Sequence, residues 1–186
     1  MQWKKFSYEM TTSLVDAPPA EDAKSLARAF SSWLLASASA EGAHDRGSAE
    51  RLFAVRGGAV TLDAARAAKL VRAGLRAANV SDLVTLLGLK RKEDLSHALN
   101  VNATSLWRWA RDDSILPGAT VEQILRSMQL HLFAADVFGG VEPARAWLHK
   151  QHPMLEGMTP SDYADNEFGA QKVRGLLAAL KYGGVV

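Results

Sequence analysis

Two histidines and several carboxylates lie close together in the stretch AWLHKQHPMLEGMTPSDYAD, residues 146–165. His149 and His152 are three residues apart, a spacing at which two imidazoles share one face of a helix and can bind a metal ion. Glu156 and Asp162 follow and could complete or activate such a site. The stretch is therefore open to two interpretations: a metal-dependent active site, or a polar connection between two helices.

The composition of the 186-residue chain excludes several classes of protein. Apolar residues make up 48% and charged residues 23%, which is ordinary for a globular protein. No uninterrupted apolar run is long enough to cross a bilayer, and no apolar segment follows the lysines of MQWKKFSYEM, so we expect a cytoplasmic protein without a secretory signal. The absence of cysteine excludes disulfides, thiolate metal sites and a cysteine nucleophile.

The net charge of +2 conceals an uneven distribution along the chain. Residues 46–92 carry 10 basic and 3 acidic side chains, whereas residues 1–45 and 93–186 are both mildly acidic. A basic middle segment is what contact with phosphates would require, and an acidic end suits a different, basic partner. The alternative is a solvated charged surface with no partner.

Periodic apolar spacing predicts helices along nearly the whole chain, and no segment has a convincing strand pattern. Pro18 and Pro19 end a first stretch that we expect to be a loose arm. Helical spacing begins near Glu21, and the Ser/Ala/Gly-rich residues 37–50 are the best candidate for a linker. The sequence therefore predicts an all-α protein.

Capping residues indicate where the later helices begin. Thr61 is predicted to cap a basic helix over residues 62–77, and Ser81 is predicted to cap a shorter one. A long helix is expected from about Thr120 to Phe138, ending in a glycine pair. Its inner stripe is predicted to comprise Val121, Ile124, Leu125, Met128, Leu132 and Ala135.

Three further helices are predicted after the long one. Pro143 suits the first turn of the first of them, and Thr159 with Asp162 matches a capping box at the start of the second. Asn166 can cap the last helix. The apolar stripe of that helix is predicted to comprise Val173, Leu176, Leu177 and Leu180.

Residues 92–112, KEDLSHALNVNATSLWRWARD, have the layout of a helix-turn-helix. Asn100 falls where the turn needs a residue that tolerates a left-handed backbone, and Asn102 can cap the second helix. Leu106 and Trp109 are predicted to face inward, which leaves Trp107 among the residues that face outward. An ordinary helical hairpin with no DNA partner is the alternative.

If this helix pair binds DNA, the outer positions of its second helix enter the major groove. Arg108 could then read guanine, Thr104 or Ser105 could contact a base or a phosphate, and Arg111 is better placed for the backbone. Basic residues just upstream would add phosphate contacts. The candidate DNA-binding residues are Thr104, Ser105, Arg108, Arg111, Lys90 and Arg91.

Over roughly residues 62–186 the chain resembles the antitoxins of the Xre/MbcA/ParS family. The resemblance rests on the helix-turn-helix, the long helix and a spaced C-terminal signature of the form A-x-x-x-F-G, A-x-x-W-L, L-x-G-x-(T/S)-P, G, V, L, Y-G. The matching positions are Ala134, Phe138, Gly139, Ala144, Trp147, Leu148, Leu155, Gly157, Thr159, Pro160, Gly169, Val173, Leu177, Tyr182 and Gly183. Asn100 departs from the family, in which glycine is common at the turn.

The resemblance implies a three-part chain: an N-terminal extension over residues 1–60, an Xre-like helix-turn-helix domain over 61–117, and a long connecting helix with a small toxin-binding domain over 118–186. It also implies a non-enzymatic antitoxin, without metal or cofactor, that acts as a homodimer and represses its own operon. Its partners would be operator DNA and a RES-domain toxin that consumes NAD.

By the same resemblance the final helix and the tail after it contact the mouth of the toxin's NAD pocket. Acidic side chains nearby could pair with basic residues of the toxin. The candidate toxin-binding residues are Glu156, Glu167, Lys181, Tyr182, Gly183, Gly184, Val185 and Val186. Two alternatives stay open: a transcription regulator with no cognate toxin, and an enzyme that uses the histidines of residues 146–165.

Overall fold

The computed structural model describes residues 21–38, 52–56 and 59–183. The predicted arm over residues 1–20 and the tail residues Gly184, Val185 and Val186 lie outside the described residues, as does most of the predicted linker. The described elements are α1 (Glu21–Ser37), β1 (Phe53–Arg56), β2 (Ala59–Leu62), α2 (Ala64–Ala73), α3 (Leu83–Leu86), α4 (Lys92–Ala98), α5 (Ala103–Arg111), α6 (Gly118–Phe138), α7 (Val141–Leu148), α8 (Pro160–Tyr163) and α9 (Glu167–Tyr182).

The fold is all-α, as the sequence predicts. Its described strands are β1 and β2, which pair antiparallel with Phe53 opposite Leu62. The expectation of no strand was wrong at this point. Phe53 and Leu62 are half-buried against the core, and the rings of Phe53 and Phe30 lie 6.2 Å apart between centroids, so the hairpin is stabilised by packing on α1.

Two predicted caps were also wrong. Thr61 lies in β2, and α2 begins after Asp63, whose carboxylate accepts a hydrogen bond of 3.1 Å from the backbone N–H of Arg66. Ser81 lies inside a 3-10 turn, Val80–Asp82, that precedes α3. The basic helix ends at Ala73, before the predicted end, because Gly74 turns the chain at φ 77°.

Helix α6 is the central element of the fold and packs against α1, α2, α7 and α9. Its predicted inner stripe is confirmed, because every one of the six residues is buried. The helix ends where predicted, at Gly139, which adopts the left-handed conformation at φ 68°. The core of the described residues is therefore built around one long helix.

Helix α1 belongs to this same core. Phe30 and Leu34 are fully buried, and the indole N–H of Trp33 donates a 2.7 Å hydrogen bond to the backbone carbonyl of Asn79. Residues of the predicted N-terminal extension therefore pack against the middle segment and against α6. The division at residues 60 and 117 stays a prediction, and a continuous core runs through all three parts.

The caps predicted for the last two helices are confirmed. The hydroxyl of Thr159 accepts the backbone N–H of Asp162 at 3.1 Å and donates to the Asp162 carboxylate at 2.7 Å. The side chain of Asn166 accepts the backbone N–H of Gly169 at 3.0 Å. Both side chains therefore satisfy N–H groups that a helix start leaves unpaired.

Candidate partner-binding surfaces

The α4–α5 helix pair has the turn geometry that its sequence predicts. Asn100 adopts the left-handed conformation at φ 51°, and Asn102 accepts the backbone N–H groups of Thr104 and Ser105 at 2.9 and 3.3 Å. Leu99 and Leu106 are buried between the helices and the core. The turn is therefore fixed by one backbone conformation, one cap and an apolar contact.

The predicted DNA-binding residues of α5 share its outer side. Thr104, Arg108 and Arg111 are exposed, and Ser105 is half-buried beside the cap. Arg111 donates to the neighbouring carboxylate of Asp112 at 2.9 Å, and this hydrogen bond lowers the pKa of Asp112. The guanidinium of Arg108 forms no hydrogen bond with another described side chain or carbonyl, so it is the more available of the two.

The upstream pair Lys90 and Arg91 lies in the loop before α4, and both side chains are exposed. Arg91 donates to the carboxylate of Asp94 at 2.9 Å, and this hydrogen bond holds the pKa of Asp94 below its usual range. Trp107 differs from its prediction. It is half-buried and packs against the core because one edge of α5 turns towards the protein, so the outer surface of α5 is less aromatic than the sequence suggests.

The histidines of residues 146–165 hold parts of the fold together. The Nε2 atom of His149 lies 3.2 Å from the backbone carbonyl oxygen of Leu87, and His152 accepts the backbone N–H of Met154 through Nδ1. The His152 ring also packs edge-on against Trp147. Within the described residues no three histidine or acidic side chains are placed to bind a metal ion together.

The carbonyl of Leu87 sits at the end of α3, where several side chains of α6 and α7 converge. The Nε2 atom of His131 lies 3.1 Å from it, and Arg145 donates to the carbonyls of Thr85 and Leu86 at 2.9 and 3.1 Å. Burial of the imidazole lowers the pKa of His131 to about 4, so this ring is neutral at pH 7. These contacts join the C-terminal part of the chain to the segment before α4.

The predicted toxin-binding residues that the structure describes are distributed around α9. Tyr182 and Gly183 are exposed at its end, and Lys181 pairs with the largely buried carboxylate of Asp136 at 2.5 Å. Glu167, at its start, pairs with Arg126 at 3.4 Å and with Arg174. Glu156 accepts a hydrogen bond from the hydroxyl of Tyr163 at 3.4 Å.

Helix α9 also exposes Phe168, Gln171 and Gly175, which are not among the candidate residues predicted from the sequence. The α9 outer face, as we define it, comprises Phe168, Gln171, Gly175 and Tyr182, all exposed. Phe168 is 86% exposed and Tyr182 is 75% exposed, the highest values among the large exposed hydrophobic side chains of the described residues. The periodicity of α9 could have revealed this face, because its members lie opposite the buried stripe of Val173 and Leu177.

Comparison with known families identifies this part of the chain. Residues 133–183 match the model of the antitoxin Xre/MbcA/ParS C-terminal toxin-binding domain. The match begins inside α6 and includes all of α7, α8 and α9, so the α9 outer face lies within it. The chain therefore carries an antitoxin toxin-binding domain, as its resemblance implies. The comparison with curated proteins found no match.

None of the described helices is both long enough and apolar enough to cross a membrane.

Proposed function

We propose that this protein is the antitoxin of a type II toxin-antitoxin pair and that its toxin is a RES-domain enzyme that consumes NAD. The observation that carries the proposal is the toxin-binding domain over residues 133–183. In this account the antitoxin is not itself an enzyme. It acts in the cytoplasm by covering the toxin's active site with its C-terminal domain and with the tail after Tyr182.

The second half of the proposal is that the α4–α5 pair binds operator DNA, as a homodimer, and represses the operon. The left-handed Asn100, the Asn102 cap and the exposed Arg108 support it. A homodimer would present two second helices to two half-sites of a palindromic operator, one helical turn or a multiple of it apart. Lys90 and Arg91 would contact phosphates, which position the protein without reading sequence.

Copurification tests the first half of the proposal most simply. The full chain, expressed with the product of the neighbouring reading frame, should elute with it as one complex. Cells that express the neighbour alone should stop growing, and co-expression of the full chain should restore their growth. A neighbour that lacks a RES domain, or that elutes separately, would instead favour a transcription regulator with no cognate toxin. A gel shift with the operon's own promoter tests the second half, and no shift at low salt would contradict it.

A further inference from the structure

We propose that the toxin docks along the α9 outer face, with Phe168 as an anchor at the end of the helix opposite the tail. This inference rests on the proposed function, because it names where the toxin of that proposal binds. The family resemblance implies that the final helix and the tail contact the toxin, and this inference adds which face of that helix does so and which residue anchors it.

The exposure of Phe168 is the first observation. Its ring stands on the second residue of α9, 86% exposed, on the side of the helix that faces away from the core. A large aromatic ring that stays in water does not gain the favourable free energy of burial. Aromatic residues are enriched at the centres of binding interfaces, where that free energy is gained. Phe168, Gly175 and Tyr182 are spaced seven residues apart, which is about two helical turns. The three positions therefore lie in one row along the helix.

Gly175 supplies an independent observation. A Cβ atom added at this position would meet no atom within 4 Å, so the protein's own packing does not require glycine there. Gly169 on the same helix is different, because a Cβ atom there would lie 1.8 Å from the carbonyl oxygen of Tyr163. Glycine inside a helix destabilises it relative to alanine, so a glycine without an internal reason points to close approach by a partner.

The size of a stable interface favours contact along the whole face. Phe168 and Tyr182 are separated by about 21 Å, at roughly 1.5 Å of helix per residue. A specific interface buries about 800 Å² on each partner, a patch roughly 30 Å across, which is more than a short tail offers. An interface of this size that is centred near Gly175 extends to both ends of α9, so it includes Phe168 as well as the end from which the tail leaves.

The surroundings of Phe168 define the chemistry of the partner. Lys172, one turn further along, lies 5.1 Å from the centre of the Tyr163 ring, and its ammonium donates to the Tyr163 hydroxyl at 3.4 Å. That hydroxyl in turn donates to Glu156, one of the residues selected from the sequence. The fitting partner is a toxin surface with an apolar recess for the ring and polar groups of both signs around it.

The test is the affinity of the purified RES-domain protein from the neighbouring frame for the full-length chain. Gly175→Gln places a side chain in open space, so we expect unchanged or higher thermal stability together with at least a tenfold loss of affinity. Phe168→Ala removes a ring that is almost wholly in water, and we expect a loss of roughly 30-fold, typical of an interface anchor.

Two matched controls keep the result specific. Ala65→Gln adds the same side chain at an exposed position of α2, and Ile115→Ala truncates a half-exposed apolar side chain outside the toxin-binding domain. Neither should change the affinity. Wild-type affinity in both Gly175→Gln and Phe168→Ala would overturn this inference and leave the proposed function standing. No binding by the wild-type chain would overturn both.

Discussion

Helices α5 and α9 begin in the same way and present different chemistry to solvent. Each starts after an asparagine whose side chain accepts a backbone N–H, Asn102 for α5 and Asn166 for α9. The exposed side of α5 carries Thr104 and two arginines, whereas that of α9 carries two aromatic rings with a glycine between them. Local sequence therefore builds the two helices alike, and their outer residues decide what each can bind.

The contrast is compatible with the two kinds of partner that we propose, DNA for α5 and a toxin for α9. Guanidinium groups on an exposed helix suit phosphates and the edges of guanine, and binding of that kind weakens as salt rises. An aromatic face with an open glycine suits an apolar protein surface, where most of the free energy comes from buried area and depends less on salt. Variants that act on one helix alone should therefore separate the two functions.

The largest effect is expected from removal of the tail. Deletion of Gly183 to Val186 should abolish rescue of growth in toxin-expressing cells, because the segment proposed to cover the NAD pocket is lost. Operator binding should persist, since α5 is intact and α9 is complete up to Tyr182. Growth assays and gel shifts on the same variant measure both effects, and full rescue by the truncated chain would show that the tail does not inhibit.

A pH effect of about 3 kcal/mol is expected from His131, which lies on the helix that joins the two regions. Its pKa is about 4 in the folded chain and near 6.5 when unfolded. Between these two pH values the imidazole is protonated in the unfolded chain and neutral in the folded chain. The free energy of unfolding therefore falls as the pH drops from about 6.5 to 4, and this contribution is constant above about pH 7. His131→Gln should flatten this slope in denaturant titrations.

The matched control is the exposed residue His97, whose ring lies 3.5 Å from the carboxylate of Asp162. His97→Gln should leave most of the acid-side loss of stability in place, because its own ring is largely in water. Identical slopes for the wild type and His131→Gln would contradict the assignment of that loss to His131.

The next effect concerns operator binding and compares two arginines on one helix. Arg108→Ala should weaken operator binding by about 1–3 kcal/mol and relax sequence preference at one base pair. Arg111→Ala should cost less and mainly reduce the salt dependence, because Arg111 is already hydrogen-bonded to Asp112. Toxin affinity should be unchanged in both. If the two variants lost the same operator affinity at every salt concentration of a gel-shift series, Arg108 would contact only phosphate.

The smallest effects are expected at the two caps. Asn102→Ala and Asn166→Ala should each cost about 1 kcal/mol of unfolding free energy, because Asn102 accepts two backbone N–H groups and Asn166 accepts one. Their functional consequences should diverge: Asn102→Ala lowers operator affinity, and Asn166→Ala lowers toxin affinity. A loss of both activities in either variant, measured well below its unfolding temperature, would show that the two helices are not independent.

The sequence predicts the described C-terminal half of the fold closely. The C-terminal end of α6, the conformation of Asn100 and the caps Thr159 and Asn166 follow from local rules of periodicity and capping, and the structure agrees with them. Such features depend on residues within one or two turns. The strand pair and the true start of α2 at Ala64 escaped prediction, because they depend on packing of β1 and β2 against the distant α1.

The candidate sites show the same limit. Exposure of Phe168 could be deduced from the period of α9, but the pairing of Glu167 with Arg126 could not, since 41 residues separate them. The structural role of the histidines of residues 146–165 could not be assigned from the sequence either. His149 meets the carbonyl of Leu87, 62 residues away, and only the tertiary arrangement shows that its ring joins two segments of the protein. Long-range contacts are what the sequence leaves open.

The most direct test of the proposed function is the rate of NAD consumption by the product of the neighbouring reading frame, which we propose to be a RES-domain toxin, with and without the full-length chain. If the chain is the antitoxin, consumption should fall to the background rate once the two proteins are mixed in the ratio of their purified complex. The variant lacking Gly183 to Val186 should leave the rate high. Undiminished NAD consumption in the presence of a stable complex with the full-length chain would contradict the proposed function.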